Sequence, residues 1–234
     1  MTMADSEAIA TALAEQQRRV QKACEQACRA PQSVRILAVS KTKPASAVRA
    51  AYQAGQRDFG ENYVQEGVDK IAELADLSDI VWHFIGPLQS NKTKLVADNF
   101  AWMQSLDRLK IARRLNDQRS DDQAPLQVLV QVNIDNEASK AGIAIDDIAD
   151  FAAQLAQLPR LQLRGLMAIP AADASNAQQQ QSFSALANAF KQLQTHYPQV
   201  DTLSLGMSND LEPAIEHGST MVRIGTSIFG KRQA

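Results

Sequence analysis

A lysine that closes an apolar run can do imine chemistry when the run is a strand ending at a pocket. Lys41 closes the segment Ile36-Leu-Ala-Val-Ser-Lys41, which reads as a strand delivering a primary amine to its C-terminal end. Lys43 follows shortly after and is less constrained. Taken alone, such a run fits a surface cation better than a nucleophile, so the reading depends on what other strands deliver beside it. Late in the chain, Leu203-Ser-Leu-Gly-Met-Ser-Asn-Asp210 and Met221-Val-Arg-Ile-Gly-Thr226 each pass from an apolar run into small and hydroxyl residues. Glycine, small hydroxyls and the free N–H groups of a helix start are what a phosphate needs, which makes Ser208, Gly225 and Thr226 candidates for an anion site. Asn209 followed by Glu212 also resembles a capping box, in which Ser208 or Asn209 caps the next helix. Capping and anion binding draw on the same N–H groups and are compatible.

Other chemistries find no support. Of three histidines, His196 and His217 fall in helical contexts and read as solvated, while His83 lies within an apolar run beside Trp82. That scatter gives no metal-ligand spacing, and no Gly-x-Ser-x-Gly marks a serine nucleophile. Cys24 and Cys28 read as small residues on the packed face of an N-terminal helix, with no role in redox or zinc binding. A net charge of -2, with Lys and Arg dispersed, offers no field for nucleic acid or an anionic membrane. The acidic start Met1-Thr-Met-Ala-Asp-Ser-Glu7 lacks the features of a signal peptide, and no apolar run reaches membrane-spanning length. A cytoplasmic protein is the expectation.

The elements that must position these residues alternate. Apolar runs at Arg35-Ser40, Arg57-Gly60, Val81-Ile85, Trp102-Ser105, Gln127-Asn133, Gln162-Ala168, Thr202-Leu205 and Met221-Ile224 are separated by helical patterns. Pro44 marks one helix start, Gly55 a helix stop, and Pro159 closes a helix that begins near Asp146. Strands that alternate with helices run parallel, and this many can close into a (β/α)8 TIM barrel, here with an extra N-terminal helix. An open doubly wound sheet is the competing fold, but no Gly-x-Gly-x-x-Gly follows the first strand. Hydrophobic residues at 45% and charged residues at 21% suit one packed core, and residues 1-234 read as one domain. The stretch Ala171-Gln181, with its run of Gln, reads as a solvated loop entering a helix. In a barrel of this kind function gathers at the C-terminal strand ends, where Lys41, Asn62, Gly86, Ser105, Asn133, Met167, Ser208 and the Arg223-Thr226 segment all fall.

Six ordered motifs complete the picture: Ala38-Val-Ser-Lys-Thr-Lys-Pro44, Phe59-Gly-Glu-Asn-Tyr63, Trp82-His-Phe-Ile-Gly-Pro-Leu-Gln-Ser-Asn-Lys92, Arg164-Gly-Leu-Met167, Gly206-Met-Ser-Asn-Asp210 and Val222-Arg-Ile-Gly-Thr226. Together they resemble the pyridoxal phosphate homeostasis protein family, whose members look like the barrel domain of alanine racemase. The likeness runs from about Val34 to Lys231. It implies pyridoxal 5'-phosphate (PLP) as cofactor, Lys41 as the Schiff-base lysine, Ser208, Gly225 and Thr226 around the phosphate, and Arg223 facing the pyridine nitrogen. Asn62, His83 and Met167 would line the same pocket. A guanidinium cannot take a proton from the ring, so the ring would be a weaker electron sink than one paired with a carboxylate.

The resemblance implies a carrier that holds PLP for the cell's pool rather than an enzyme. In the similar racemases a second domain supplies a tyrosine base, whereas this chain ends a few residues after the eighth strand. A weak amino-acid racemase is the alternative and would need a substitute group, for which Tyr63 is the candidate. A Schiff-base aldolase, forming its imine with substrate, is a third reading. PLP-dependent apo-enzymes are the implied partners, and a monomer is expected.

Overall fold

In the computed structural model, residues 2–135, 141–171 and 174–231 are described. The chain opens with α1 (Met3–Gln26), then alternates as β1 (Arg35–Val39), α2 (Ala45–Gln53), β2 (Asp58–Glu61), α3 (Val64–Glu73), β3 (Val81–Phe84), α4 (Thr93–Asn99), β4 (Trp102–Leu106), α5 (Leu109–Gln118), β5 (Leu126–Gln131), α6 (Ile148–Leu155), β6 (Leu161–Met167), α7 (Asn176–His196), β7 (Thr202–Met207), α8 (Leu211–Glu216), β8 (Met221–Ile224) and α9 (Thr226–Phe229). The eight parallel strands pair in chain order, and β8 closes onto β1. Every strand expected from the sequence forms, each end within two residues of its expected place. The expected TIM barrel with an extra helix is the fold.

Alternation along each strand divides the core. Outward residues such as Ala38, Phe59, Phe84, Val128 and Leu163 meet the apolar faces of the helices in one continuous cluster, while inward residues fill the barrel. Helix α1 lies outside the alternation and packs on α2, α8 and α9 through Ile9, Leu13, Val20, Ala23 and Cys24. Pro44 is the N-cap of α2, where its fixed φ suits the turn and its missing N–H is not needed. Gly55 follows α2 at a φ of +100°, the left-handed turn that ends a helix.

Three local readings change. The N-cap of α8 is Asp210, not Ser208 or Asn209. Its Oδ1 reaches back to the Met207 N–H at 2.6 Å, and Glu212 turns away to pair with Arg19. The alternative partner for Glu212 lies on α1, too distant in sequence for a local capping rule to see. Cys24 is buried, but Cys28 lies beyond the end of α1 and is exposed, at a φ of 55°, so the two do not share a packed face. His217 is half-buried, with Nδ1 2.8 Å from the Pro213 carbonyl and its ring edge-on to Phe183, whereas His196 is exposed as expected. In the Gln-rich stretch, residues 172 and 173 lie outside the described residues, and the chain becomes helical at Asn176 behind a Ser175 capping box.

Candidate active site at the C-terminal mouth

Lys41 is the second residue after β1 and is half-buried, while its neighbours on both sides are fastened from outside the barrel. Ser40 Oγ donates to Glu61 Oε1 at 2.6 Å, and Lys70 Nζ from α3 donates to the Ser40 carbonyl and to Glu61 Oε1, both at 2.7 Å. Lys70 also reaches Glu66 Oε1 at 2.7 Å, and that oxygen accepts from the Thr42 N–H at 2.5 Å. Thr42 holds a φ of 62°, a left-handed conformation that is costly for a β-branched residue. The turn that presents Lys41 is thus strained and held by the buried Glu61–Lys70 pair together with the half-buried Glu66. Burial pushes the Glu61 carboxyl above its ordinary range, against the opposing pull of Lys70 and Ser40. Lys43 is drawn away to the other end of the chain, donating to the Lys231 carbonyl at 2.9 Å.

The phosphate candidates sit on neighbouring strand ends. Leu37 pairs with Arg223 across β1 and β8, and a Cβ on Gly225 would stand 3.2 Å from the Val39 carbonyl. The Gly225-Thr226 turn therefore lies against the strand that carries Lys41. On the other side, β7 places Met207 opposite Arg223, so Ser208 continues along the same rim. Gly206 permits this arrangement with a φ of +94°, and a Cβ there would come within 2.6 Å of the Ala214 Cβ on α8. Arg19 of α1 completes the rim by donating to the Ser208 carbonyl at 2.7 Å and forking onto Glu212 at 2.5 and 2.7 Å.

Arg223 points into the barrel and is only 5% exposed. Its Nη1 donates to the Ser204 carbonyl and to Ser204 Oγ at 2.8 Å each, and Nη2 donates to the Ala168 carbonyl at 2.7 Å. A guanidinium has about five N–H donors, so one on Nε and one on Nη2 remain without a protein acceptor among the described residues. Among the described residues no carboxylate touches it. Burial lowers its pKa to about 10, with Asp210 acting weakly in the other direction, so the group is still a cation at neutral pH. A desolvated cation with unspent donors fits a ligand that brings hydrogen-bond acceptors.

The remaining candidates divide. Asn62 follows β2 at the mouth, and its buried Oδ1 has no partner among the described residues. Its carbonyl is approached so closely by Gly86 that a Cβ there would stand 2.0 Å from the oxygen. Ser105 Oγ in turn donates to the Gly86 carbonyl at 2.5 Å, which ties three strand ends together. Met167 lies fully buried, packed with Leu129 and Trp102. His83 is also fully buried, stacked on Trp102 at 5.1 Å with ring nitrogens facing Asp58 and Gln104. These two side chains belong to the barrel interior and have no open face toward the rim. The sequence reading missed Arg19, Lys70, Gln104 and Ser204. Glu61 and Ser204 lie within the motif segments, Gln104 is a polar residue inside an apolar run, and Arg19 and Lys70 carry no local signal. Among the described residues no cluster suits a metal ion.

Fold and mouth together define the barrel type of the alanine racemase N-terminal domain, whose family model matches residues 6–233. Alanine racemase from Corynebacterium glutamicum shares the fold with a TM-score of 0.72 at 14% identity, covering 97% of this chain and 62% of that one. Much nearer is the pyridoxal phosphate homeostasis protein of Escherichia coli, 55% identical over 226 residues, covering 96% of this chain and 97% of that protein. The protein of the same description from Pseudomonas aeruginosa is 53% identical over 96% of both. PipY of Synechococcus elongatus, solved with PLP bound, superposes with a TM-score of 0.83 at 38% identity, covering 95% of this chain and all of that one. The chain belongs to the pyridoxal phosphate homeostasis protein family.

Proposed function

We propose that this chain holds PLP at the C-terminal mouth of the barrel, as a Schiff base on Lys41, and serves PLP homeostasis as a carrier without substrate turnover. The observation that carries the reading is Arg223, a buried cation with unspent N–H donors, one strand away from a lysine presented by a strained and fastened turn. PLP, when bound, supplies a reactive aldehyde and a pyridine ring that acts as an electron sink. Lys41 provides the amine for the aldehyde, while Ser208, Gly225 and Thr226 offer hydroxyls and backbone N–H groups to the phosphate. Arg223 donates to the ring nitrogen and, having no lone pair to accept a proton, keeps that nitrogen unprotonated. Asn62 presents an unpartnered amide oxygen from the adjoining rim, and Met167 and His83 support the mouth from within the barrel.

Restrained ring chemistry agrees with a carrier. Racemisation needs placed acid and base groups on both faces of the cofactor, and Tyr63, the candidate for one of them, is 53% exposed. Exchange of PLP with apo-enzymes would then be the protein's traffic, in the cytoplasm. A closed barrel has no free strand edge through which copies could pair, in keeping with a monomer.

The deciding experiment records the absorbance of the purified protein before and after borohydride, followed by mass mapping of the reduced adduct. A yellow protein that borohydride bleaches, leaving a reduced adduct on Lys41, is expected. A protein that stays colourless with added PLP would remove the reading and promote the substrate-imine aldolase.

A further inference from the structure

Where a barrel of this class usually packs aliphatic side chains, this one carries a continuous polar chain. Arg223 Nη1 lies 2.8 Å from Ser204 Oγ, Ser204 Oγ 2.7 Å from Gln104 Oε1, Gln104 Nε2 3.0 Å from His83 Nδ1, and His83 Nε2 2.8 Å from Asp58 Oδ1. The chain crosses the interior from β8 through β7, β4 and β3 to the first residue of β2. Ser204, Gln104 and His83 are wholly buried. Asp58 stands half-buried near the strand starts, with Arg35 Nη1 at 3.6 Å.

Donor chemistry gives this chain a single direction. Arginine can only donate, so Ser204 Oγ accepts from Arg223 and its own hydrogen goes to Gln104 Oε1. The Gln104 amide then donates both hydrogens, one toward His83 Nδ1 and one toward Met221 Sδ at 3.1 Å. With Nδ1 an acceptor, neutral His83 carries its proton on Nε2 and gives it to Asp58, which as a carboxylate can only accept. Reversing any one bond would require a second buried cation or a protonated carboxylate. A cationic His83 would also repel Arg223 through a poorly screened interior.

We propose that Ser204, Gln104 and His83, anchored by Asp58, are positioning residues that hold Arg223 as a directed donor toward the ring nitrogen of the bound cofactor. The inference rests on the reading of Arg223 given above. Ser204 takes up Nη1 with both its carbonyl and its hydroxyl, which sets the plane of the guanidinium and leaves the Nε side to the ligand. The hydroxyl can face Arg223 as an acceptor only while Gln104 takes its hydrogen, and Gln104 keeps that amide orientation only while His83 Nδ1 is bare.

The test has two arms. Nitrogen NMR of the histidine rings in the cofactor-free protein should show His83 neutral, with the proton on Nε2, and Gln104→Glu should move a proton onto Nδ1 because a carboxylate cannot donate there. In the second arm the protein is loaded with PLP labelled with nitrogen-15 in the ring. The pyridine resonance should report an unprotonated, hydrogen-bonded nitrogen in the wild type and shift in Gln104→Met and Ser204→Ala, with cofactor release faster by about threefold or more, roughly half a decade in affinity. Gln104→Met keeps the side-chain volume, so the inference stays testable if the buried glutamate does not fold. An Nδ1–H or charged His83 in the wild type would overturn the inference, as would a pyridine resonance that ignores both substitutions. If PLP never reaches Lys41, the cofactor reading fails by itself, while the first arm still decides the direction of the chain.

Discussion

Removing the Lys41 amine separates binding from folding. Lys41→Ala should lose the borohydride-reducible adduct and keep the thermal transition of the wild type, since the half-buried side chain makes no hydrogen bond among the described residues; an adduct that persists would point to another lysine. Arg223→Ala deletes a charged donor, which should weaken PLP retention by about ten- to a hundredfold, ~1.5–3 kcal/mol, measured by equilibrium dialysis. His83 gives a pH signature. Burial lowers its pKa below the ordinary 6.5, against the raising effect of the Asp58 hydrogen bond and charge. The folded chain therefore resists a proton that the unfolded chain accepts. Stability is fully present above pH 6.5 and declines as pH falls from there toward the depressed folded-state value, by up to about 1.4 kcal/mol per pH unit. Urea midpoints at pH 7.5, 6.5 and 5.5 should show that decline in the wild type and a flatter course in His83→Gln; equal slopes would contradict it.

At the scale of elements, the mouth is built by connections that reach across neighbouring units. Helix α3 steadies the β1 turn through Lys70, and α1 steadies the β7–α8 turn through Arg19. Lys70→Met should cost about 3–5 kcal/mol, because it strands the buried Glu61 carboxyl without a cation; chemical denaturation measures this. The paired change Glu61→Gln with Lys70→Met should recover part of the loss, and failure to recover any would mean that the Ser40 contact matters more than the ion pair. Gly86→Ala should be poorly tolerated, since its Cβ would overlap the Asn62 carbonyl, with backbone on both sides of the clash. A drop in soluble yield or in the thermal midpoint would report it.

For the whole molecule, strand closure leaves only helices and loops on the surface, and light scattering should find a single 25.6 kDa chain. The order of elements is legible in the sequence. Apolar runs in alternation with capped helical patterns have only parallel solutions, and Lys41, Ser208, Arg223, Gly225 and Thr226 stood at strand ends because that spacing is local. His83 shows the limit. Its sequence neighbours place it on a strand but cannot say whether its ring meets the rim or the interior, which depends on partners some twenty residues away, Asp58 and Gln104. The pairing of Glu212 with Arg19 follows the same rule, its partner being remote in the chain, whereas the helix cap at Asp210 is local and lies one residue beyond its expected place. What the sequence determined was the barrel and the chemistry delivered to its mouth, because hydrophobic period and strand-end position are properties of short segments. Only the tertiary structure decided which polar side chains meet inside it. Those hydrogen bonds join strands remote in the chain, and their direction follows from what Arg223 and Asp58 can donate or accept once burial denies them water.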